Sequence, residues 1–146
     1  MHLLIGSHFY DCDFTARRYK TYNSACFLTP EGKVVERYDK IRLVVIGEFI
    51  PLRNVMPFLP EIVRNIAGFV PDLAEGKRRP VFTLGKHRFG ALICYDIAYS
   101  EDARELAQKG CDFLVNLTNE GWFENTCELE RLLASSIFRA VENRIG

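Results

Sequence analysis

A cysteine followed directly by a phenol and a carboxylate is the group of residues in this sequence best suited to covalent chemistry. Cys94, Tyr95 and Asp96 end an apolar run that begins after Gly90. Such a run predicts a buried strand that carries Cys94 to its C-terminal edge, which is where open α/β sheets bind ligands. A thiolate at that edge is a potential nucleophile, and the alternative is a small apolar core residue, because free cysteines are commonly buried.

A thiol nucleophile needs a partner that favours its thiolate, and acyl chemistry needs positive charge near the developing oxyanion. The histidines lie in strand-like or turn contexts that do not converge on the cysteine: they are His2, His8 and His87. Lys40 is the better candidate, because it follows a β-prone run and could be fixed by a carboxylate such as Glu48 or Asp96. The alternative is a lysine that is simply solvated at a strand end.

The composition describes one ordinary globular domain. The chain has 146 residues, of which 48% are hydrophobic and 26% charged. Nineteen basic and nineteen acidic residues give zero net charge, which argues against a nucleic-acid partner. The five cysteines are scattered without C-x-x-C spacing, so we expect free thiols and no metal site. No stretch approaches the roughly 18 apolar residues of a membrane span.

The first third of the chain must position Lys40. Two β-prone runs, 22–28 and 34–38, flank a segment with Pro30 at the second and Gly32 at the fourth position of a type I turn. This pattern predicts a β-hairpin that delivers Lys40 to the end of its second strand. Before the hairpin, the sequence predicts a buried strand at 3–7 and a polar turn at 17–22.

The segment from residue 41 to residue 73 is apolar but contains four prolines, at 51, 57, 60 and 71. Prolines at this density exclude a long helix or a central strand, so we expect irregular structure with one short helix near 61–68. Two interpretations remain open. The segment is either a loop packed over the core or a lid that faces lipid or another apolar partner.

The second half of the chain must position Cys94. Residues 75–80 predict a solvated basic turn. The strands predicted at 81–84 and 87–94 form a second hairpin, and a further strand is predicted at 113–117. Two helices are predicted, one at 101–109 capped by Ser100 and an amphipathic one at 128–143. Alternating strands and helices predict an α/β layered fold. Because the strands before Cys94 and Asn119 end at one edge, Trp122 is expected near Cys94.

The order of five motifs resembles the carbon–nitrogen hydrolase (nitrilase) superfamily, and most of all its apolipoprotein N-acyltransferase branch. The motifs are R-Y-D-K at 37–40, G-E-F-I-P-L at 47–52, I-C-Y-D at 93–96, N-E-G-W-F at 119–123 and F-R-A-V-E-N-R at 138–144. They extend over nearly the whole chain. The resemblance implies a nitrilase-like αββα sandwich, of which residues 1–146 are a partial domain that continues beyond both ends.

The resemblance also assigns roles to residues. It implies that Cys94 is the nucleophile that forms a thioester and that Lys40 stabilises the tetrahedral intermediate. Trp122 matches a substrate-binding position. Three further residues match positions that support the site: Glu48, Tyr95 and Asp96, the last standing where a glutamate is more usual. No motif for the general-base glutamate occurs between residues 1 and 22, so that base is expected upstream.

The implied reaction is transfer of an acyl chain from a phospholipid to the N-terminal amine of a lipoprotein, without a cofactor. The implied partners are phospholipid, lipoprotein and the membrane surface, which residues 41–73 would contact. The implied location is the bacterial inner membrane, with the catalytic domain on the periplasmic side. Two alternatives remain open: a soluble amidase or nitrilase, and an inactive fragment.

Overall fold

The computed structural model describes residues 1–13, 15, 17–53, 55–119, 121 and 126–146. Six strands alternate with helices along these residues. The strands are β1 (Leu3–Asp13), β2 (Arg18–Leu28), β3 (Val34–Asp39), β4 (Val81–Leu84), β5 (His87–Ile93) and β6 (Phe113–Leu117). The helices are α1 (Leu59–Ala67), α2 (Ser100–Gln108) and α3 (Glu128–Asn143), together with a 3₁₀ helix at Cys94–Ala98.

The first sheet is an antiparallel meander in the order β1-β2-β3. The predicted turn between β2 and β3 is confirmed, because the Gly32 N–H donates to the Thr29 carbonyl at 3.0 Å and Gly32 has a φ of 79°. Two predictions before this hairpin are wrong. Residues 17–22 belong mostly to β2, and β1 extends far beyond residue 7 with mostly exposed side chains. The long pairing of β1 with β2 explains both differences.

The second sheet has the order β4-β5-β6. β4 and β5 form the predicted hairpin, whereas β5 and β6 are parallel and are connected through α2. Ile93, the last residue of β5, pairs with Leu117, the last residue of β6. Because parallel strands end at the same edge, this pairing places Cys94 and the chain after β6 on one side of the sheet.

Phenylalanines fill the space between the two sheets. Phe27 of the first sheet packs edge-on against two rings of the second, Phe82 at 6.0 Å and Phe89 at 5.4 Å between ring centres. Phe89 in turn stacks on Phe113 at 5.3 Å. Tyr38 belongs to the same buried cluster, so the strand that leads to Lys40 is anchored in the core between the sheets.

A helical layer covers the other face of the second sheet. Leu92 of β5 packs with Leu106 of α2 and Leu132 of α3 in a second buried cluster. Gly90 permits this approach, since a Cβ atom there would lie 2.6 Å from a methyl group of Leu106. Ser100 is the first residue of α2 and does not cap it, contrary to the prediction. The described residues therefore stack as sheet, sheet and helices, which confirms the predicted nitrilase-like α/β sandwich.

The amphipathic helix predicted at 128–143 is present as α3, but its apolar residues are only partly covered. Leu132 is buried, whereas four other large apolar side chains are exposed: Leu133, Ile137, Phe138 and Val141. No described helix is long and apolar enough to cross a bilayer.

The described residues of the proline-rich segment, 41–53 and 55–73, form the predicted short helix, α1, and no strand apart from isolated bridges such as Val45 with Phe49. Its apolar side chains are largely exposed. They include Val45, Ile46, Leu52, Val55, Phe58, Ile62 and Ile66.

The turn at 75–80 is not simply solvated, which corrects the prediction. Arg79 is buried and forms ion pairs with Asp102 and Glu105 of α2, each at 2.8 Å. A buried guanidinium needs such partners, because desolvation of an unpaired charge is costly. The turn is thereby attached to the helical layer.

Candidate active site

Cys94 occupies a strained turn at the end of β5. Its φ is 53°, a left-handed conformation that residues with a Cβ adopt at a cost. It is the first residue of the 3₁₀ helix, rather than the last residue of the strand as predicted. Its side chain is half-buried in the core between the sheets. A strained, partly accessible cysteine at a sheet edge fits a nucleophile better than it fits an inert core residue.

Lys40 is buried to 1% exposure directly after β3, so the solvated alternative is wrong. Its Nζ lies 2.8 Å from Glu48 Oε2. Its backbone is held on both sides, because its N–H donates to the Asn23 carbonyl at 2.8 Å and its carbonyl accepts from the Gly76 N–H at 2.9 Å. A buried ammonium with one carboxylate partner can carry fixed positive charge at a reacting centre.

Both carboxylate oxygens of Glu48 accept hydrogen bonds. Besides Lys40, Oε2 accepts the Val44 N–H at 2.8 Å, and Oε1 accepts the side-chain amide of Asn23 at 2.9 Å. These bonds draw the start of the proline-rich segment against the first sheet. Glu48 thus fixes the lysine in place, and a carboxylate engaged in this way is a poor general base.

Asp96 is fully buried, and its short side chain reaches across to the first sheet. Oδ2 accepts the Tyr38 hydroxyl at 2.7 Å and the Ile93 N–H at 3.1 Å. Burial raises the pKa of Asp96, although these donors oppose the rise. Burial also raises the pKa of Tyr38 well above its ordinary value, and the neighbouring carboxylate adds to that increase.

The environment of Cys94 opposes spontaneous ionisation. Burial raises the pKa of the thiol, while the charge of Lys40 and the Tyr95 backbone N–H lower it. The carboxylates of Glu48 and Asp96 raise it again. The resting group is consequently a neutral thiol, and the attack requires a base to remove its proton.

Two other predicted residues have different outcomes. The Tyr95 side chain is hydrogen-bonded to Glu128 at the start of α3, which raises the pKa of Tyr95 to about 12. Tyr95 therefore joins the Cys94 turn to α3. Trp122 lies outside the described residues, so its substrate-binding role stays a prediction.

A pocket of about 370 Å³ opens beside Ile41, the residue after Lys40, although neither Lys40 nor Cys94 lines it. Its wall combines residues of the proline-rich segment and the turn after it: Ile41, Leu43, Phe49, Ile50, Arg53, Asp72, Leu73 and Glu75. An ion pair between Arg53 and Asp72 lies at its edge. Within the described ranges, no group of three or more His, Cys, Asp or Glu residues could hold a metal ion.

Sequence reasoning missed two residues that shape the site, Tyr38 and Asn23. Tyr38 and Lys40 are two positions apart around the end of β3, the spacing at which strand residues share a face. That alternation was a usable signal for Tyr38. Asn23 bonds to Glu48, which is 25 positions away, and no local pattern indicates such a contact.

The whole chain matches a known family. The carbon–nitrogen hydrolase family pattern matches residues 1–145. The apolipoprotein N-acyltransferase of Geobacter metallireducens is 36% identical over 142 residues, which cover 97% of this chain and 26% of that protein. The enzyme of the same name from Bdellovibrio bacteriovorus is 34% identical over 125 residues, or 85% of this chain and 23% of that protein. The chain thus spans about a quarter of the length of these curated relatives.

Solved structures share the fold. A Saccharomyces cerevisiae member of branch 10 of the nitrilase superfamily superposes with a TM-score of 0.59 at 20% identity, over 97% of this chain and 42% of the other. An amidase from Nesterenkonia sp. gives a TM-score of 0.60 at 20% identity, over 99% of this chain and 44% of the other. The sequence match over residues 1–145 and the shared sandwich lead to one conclusion: the chain belongs to the carbon–nitrogen hydrolase family.

Proposed function

We propose that this chain carries the nucleophile and the oxyanion-stabilising lysine of an N-acyltransferase that modifies lipoproteins. The observation that carries the proposal is the ion pair of buried Lys40 with partly buried Glu48, whose positive member acts on the strained Cys94 thiol. The similarity to relatives named apolipoprotein N-acyltransferase supports acyl transfer over other reactions of the family.

In the first step, Cys94 Sγ attacks the ester carbonyl of a phospholipid. A C–S bond forms, the ester C–O bond breaks, and a lysophospholipid leaves as an alcohol that takes up the proton removed from the thiol. Negative charge develops on the carbonyl oxygen in between. Lys40 is the described group suited to stabilise that charge, since its ammonium is fixed and largely removed from water.

In the second step, the N-terminal amine of the lipoprotein attacks the thioester carbonyl. A C–N bond forms, the C–S bond breaks, and the Cys94 thiolate takes up the amine proton through the base. The product is an amide on the lipoprotein. The same lysine serves both steps, because both pass through an oxyanion on the same carbon.

The general base is a separate group. Glu48 and Asp96 are the carboxylates whose charges act on Cys94, and each already accepts hydrogen bonds. We therefore retain the expectation that a glutamate outside these 146 residues removes the proton. A positioned base contributes about 10²–10⁴-fold, so acylation of this chain alone is expected to be slow.

The proline-rich segment suits a lipid substrate. Its exposed apolar side chains, including Leu52, Val55 and Ile66, lie in the segment that also supplies Glu48 to the site. Contact of these side chains with a bilayer would bring phospholipid esters close to the thiol. We therefore infer that residues 41–73 contact the membrane surface, with the protein on the periplasmic side of a bacterial inner membrane.

The decisive experiment measures the covalent intermediate on Cys94. The chain is incubated with phospholipid vesicles and a diacylated lipopeptide with a free amine, and intact mass is recorded before and after hydroxylamine, which cleaves thioesters. We expect an acyl adduct that Cys94→Ala abolishes and that Cys127→Ala, at an exposed cysteine, retains. Acylated lipopeptide should appear only when the adduct forms.

Other outcomes favour the alternatives. Hydrolysis of a small amide by Cys94 without any phospholipid-derived adduct would indicate a soluble amidase or nitrilase. Absence of both adduct and hydrolysis from folded protein would indicate an inactive fragment.

A further inference from the structure

A hydrogen bond joins the two halves of the candidate site. The hydroxyl of Tyr38 in β3 donates to Asp96 Oδ2 at 2.7 Å, across 58 positions of sequence. Both residues are fully buried. Tyr38 lies two positions before Lys40, and Asp96 lies two positions after Cys94. The bond therefore connects the strand that presents the lysine with the turn that presents the thiol.

The same carboxylate oxygen also stabilises the turn itself. Oδ2 accepts the Ile93 N–H at 3.1 Å, so Asp96 reaches back over Cys94 to the last residue of β5. The φ of Cys94, 53°, is unfavourable for a residue with a Cβ, and such strain persists only where surrounding contacts enforce it. Asp96 provides such a contact within the turn, through the Ile93 N–H, and Tyr38 attaches Asp96 to the first sheet.

We propose that Tyr38 and Asp96 are positioning residues that hold the Cys94 turn against the strand of Lys40 and so set the reactivity of the thiol. The inference rests on the proposed function in one respect, namely that Cys94 and Lys40 form one site. It concerns the thiol alone, so it can be tested without any acyl substrate.

The sign of the effect follows from the groups that face Cys94. Burial has the largest influence on Cys94 and disfavours the thiolate, as Glu48 and Asp96 also do, whereas Lys40 of the first sheet and the Tyr95 backbone N–H favour it. Both favourable influences depend on the position of the turn. Tyr38→Phe keeps the aromatic ring in the core and with it the burial of the thiol, so the change that remains is a turn held less firmly beside Lys40, which disfavours the thiolate.

The test measures alkylation of Cys94 by iodoacetamide as a function of pH, resolved from the other cysteines by peptide mass spectrometry. In Tyr38→Phe we expect the midpoint of the profile to move to higher pH. The rate at neutral pH should fall about three- to tenfold, since thiolate fraction changes tenfold per pH unit. Tyr22→Phe is the matched control, because it removes a hydroxyl from the same sheet away from Asp96.

Substitutions of Asp96 separate position from charge. Asp96→Asn keeps an acceptor for Tyr38 and Ile93 and should leave the midpoint unchanged or lower it, whereas Asp96→Ala should raise it. If the bond between Tyr38 and Asp96 is purely structural, the variants should keep the alkylation midpoint of the parent and differ from it only in a lower free energy of unfolding.

Three results would overturn the proposal. They are an unchanged midpoint in folded Tyr38→Phe, a lowered midpoint in both Asp96 variants, and a raised midpoint in folded Asp96→Asn. Tyr38→Phe, which keeps the ring in the core, decides the matter, because a purely structural bond would also leave Asp96→Asn unchanged. If no acyl adduct forms in the vesicle experiment but these midpoints behave as expected, the proposed function fails and the positioning role stands.

Discussion

Asp96 holds a carboxyl group in surroundings that favour its neutral form. Burial raises its pKa, and its Oδ1 has no hydrogen-bond donor among the described residues. A carboxyl whose pKa is higher in the folded than in the unfolded protein contributes most to stability at low pH. That contribution declines as the pH rises from the ordinary aspartate range towards the folded pKa.

We predict that Asp96→Asn becomes progressively more favourable as pH rises. The difference in unfolding free energy between this variant and the parent should increase in favour of asparagine as the pH rises from about 3.9, the ordinary aspartate pKa, towards the higher pKa of the folded protein, and should level off above it. Urea unfolding at a series of pH values measures it. Asp11→Asn removes the same charge from an exposed strand position and serves as control. A difference that is constant with pH would contradict the assignment.

At the scale of elements, the end of β3 is fixed by segments distant in sequence. Gly76 is in contact with this strand end, and a Cβ atom at position 76 would lie 2.0 Å from the Asp39 carbonyl oxygen. Asp39 is itself held by the Ser24 hydroxyl at 2.6 Å and by Arg37 at 2.9 Å. The turn at 75–80 and the strand that carries Lys40 can therefore move only together.

We predict that Gly76→Ala destabilises the fold by about 1–3 kcal/mol or more, because backbone atoms must separate to admit the methyl group. It should also slow alkylation of Cys94 by displacing Lys40. Gly6→Ala is the control, since a Cβ atom there meets only Leu117 at 3.8 Å. Chemical denaturation and peptide-resolved alkylation measure the two effects. Equal stability of Gly76→Ala and Gly6→Ala would contradict the prediction, because it would show that the end of β3 moves away from residue 76 without a cost in stability.

The elements that could be predicted from sequence are those with local signals. The β2–β3 hairpin follows from proline and glycine at set turn positions, and α3 follows from its helical periodicity. The turn at 75–80 could not be predicted, because Arg79 is buried only through partners on α2. For the same reason, motifs indicated Cys94 and Lys40 as candidates but gave no indication of the bond between Tyr38 and Asp96, whose partners meet only in the assembled sandwich.

At the scale of the whole molecule, equal numbers of acidic and basic residues leave no net charge, while apolar side chains are exposed along residues 41–73. If residues 41–73 contact a bilayer as proposed, the attraction is expected to come from burial of apolar area rather than from net charge. The most exposed large apolar side chain of α1 is Ile66, at 83%.

We predict that the chain binds neutral and anionic vesicles alike and that binding survives raised salt. Ile66→Glu should weaken binding about tenfold or more, because burial of one such side chain is worth about 1.5–3 kcal/mol. Ile137→Glu on α3, where the parent side chain is 58% exposed, is the matched control and should have little effect. Vesicle sedimentation measures both. Binding that requires anionic lipid would contradict this basis for membrane contact.

The division of the site between two sheets has a consequence for how the protein is made. Lys40 follows a meander built from sequence neighbours, whereas Cys94 follows a strand whose parallel partner arrives only after α2. Local pairings form early in folding and parallel pairings late. In the proposed site, the thiol therefore meets its lysine only when the two sheets dock. A chain in which either sheet is still unfolded should not form the thioester, because the nucleophile and the group that stabilises its oxyanion are then apart.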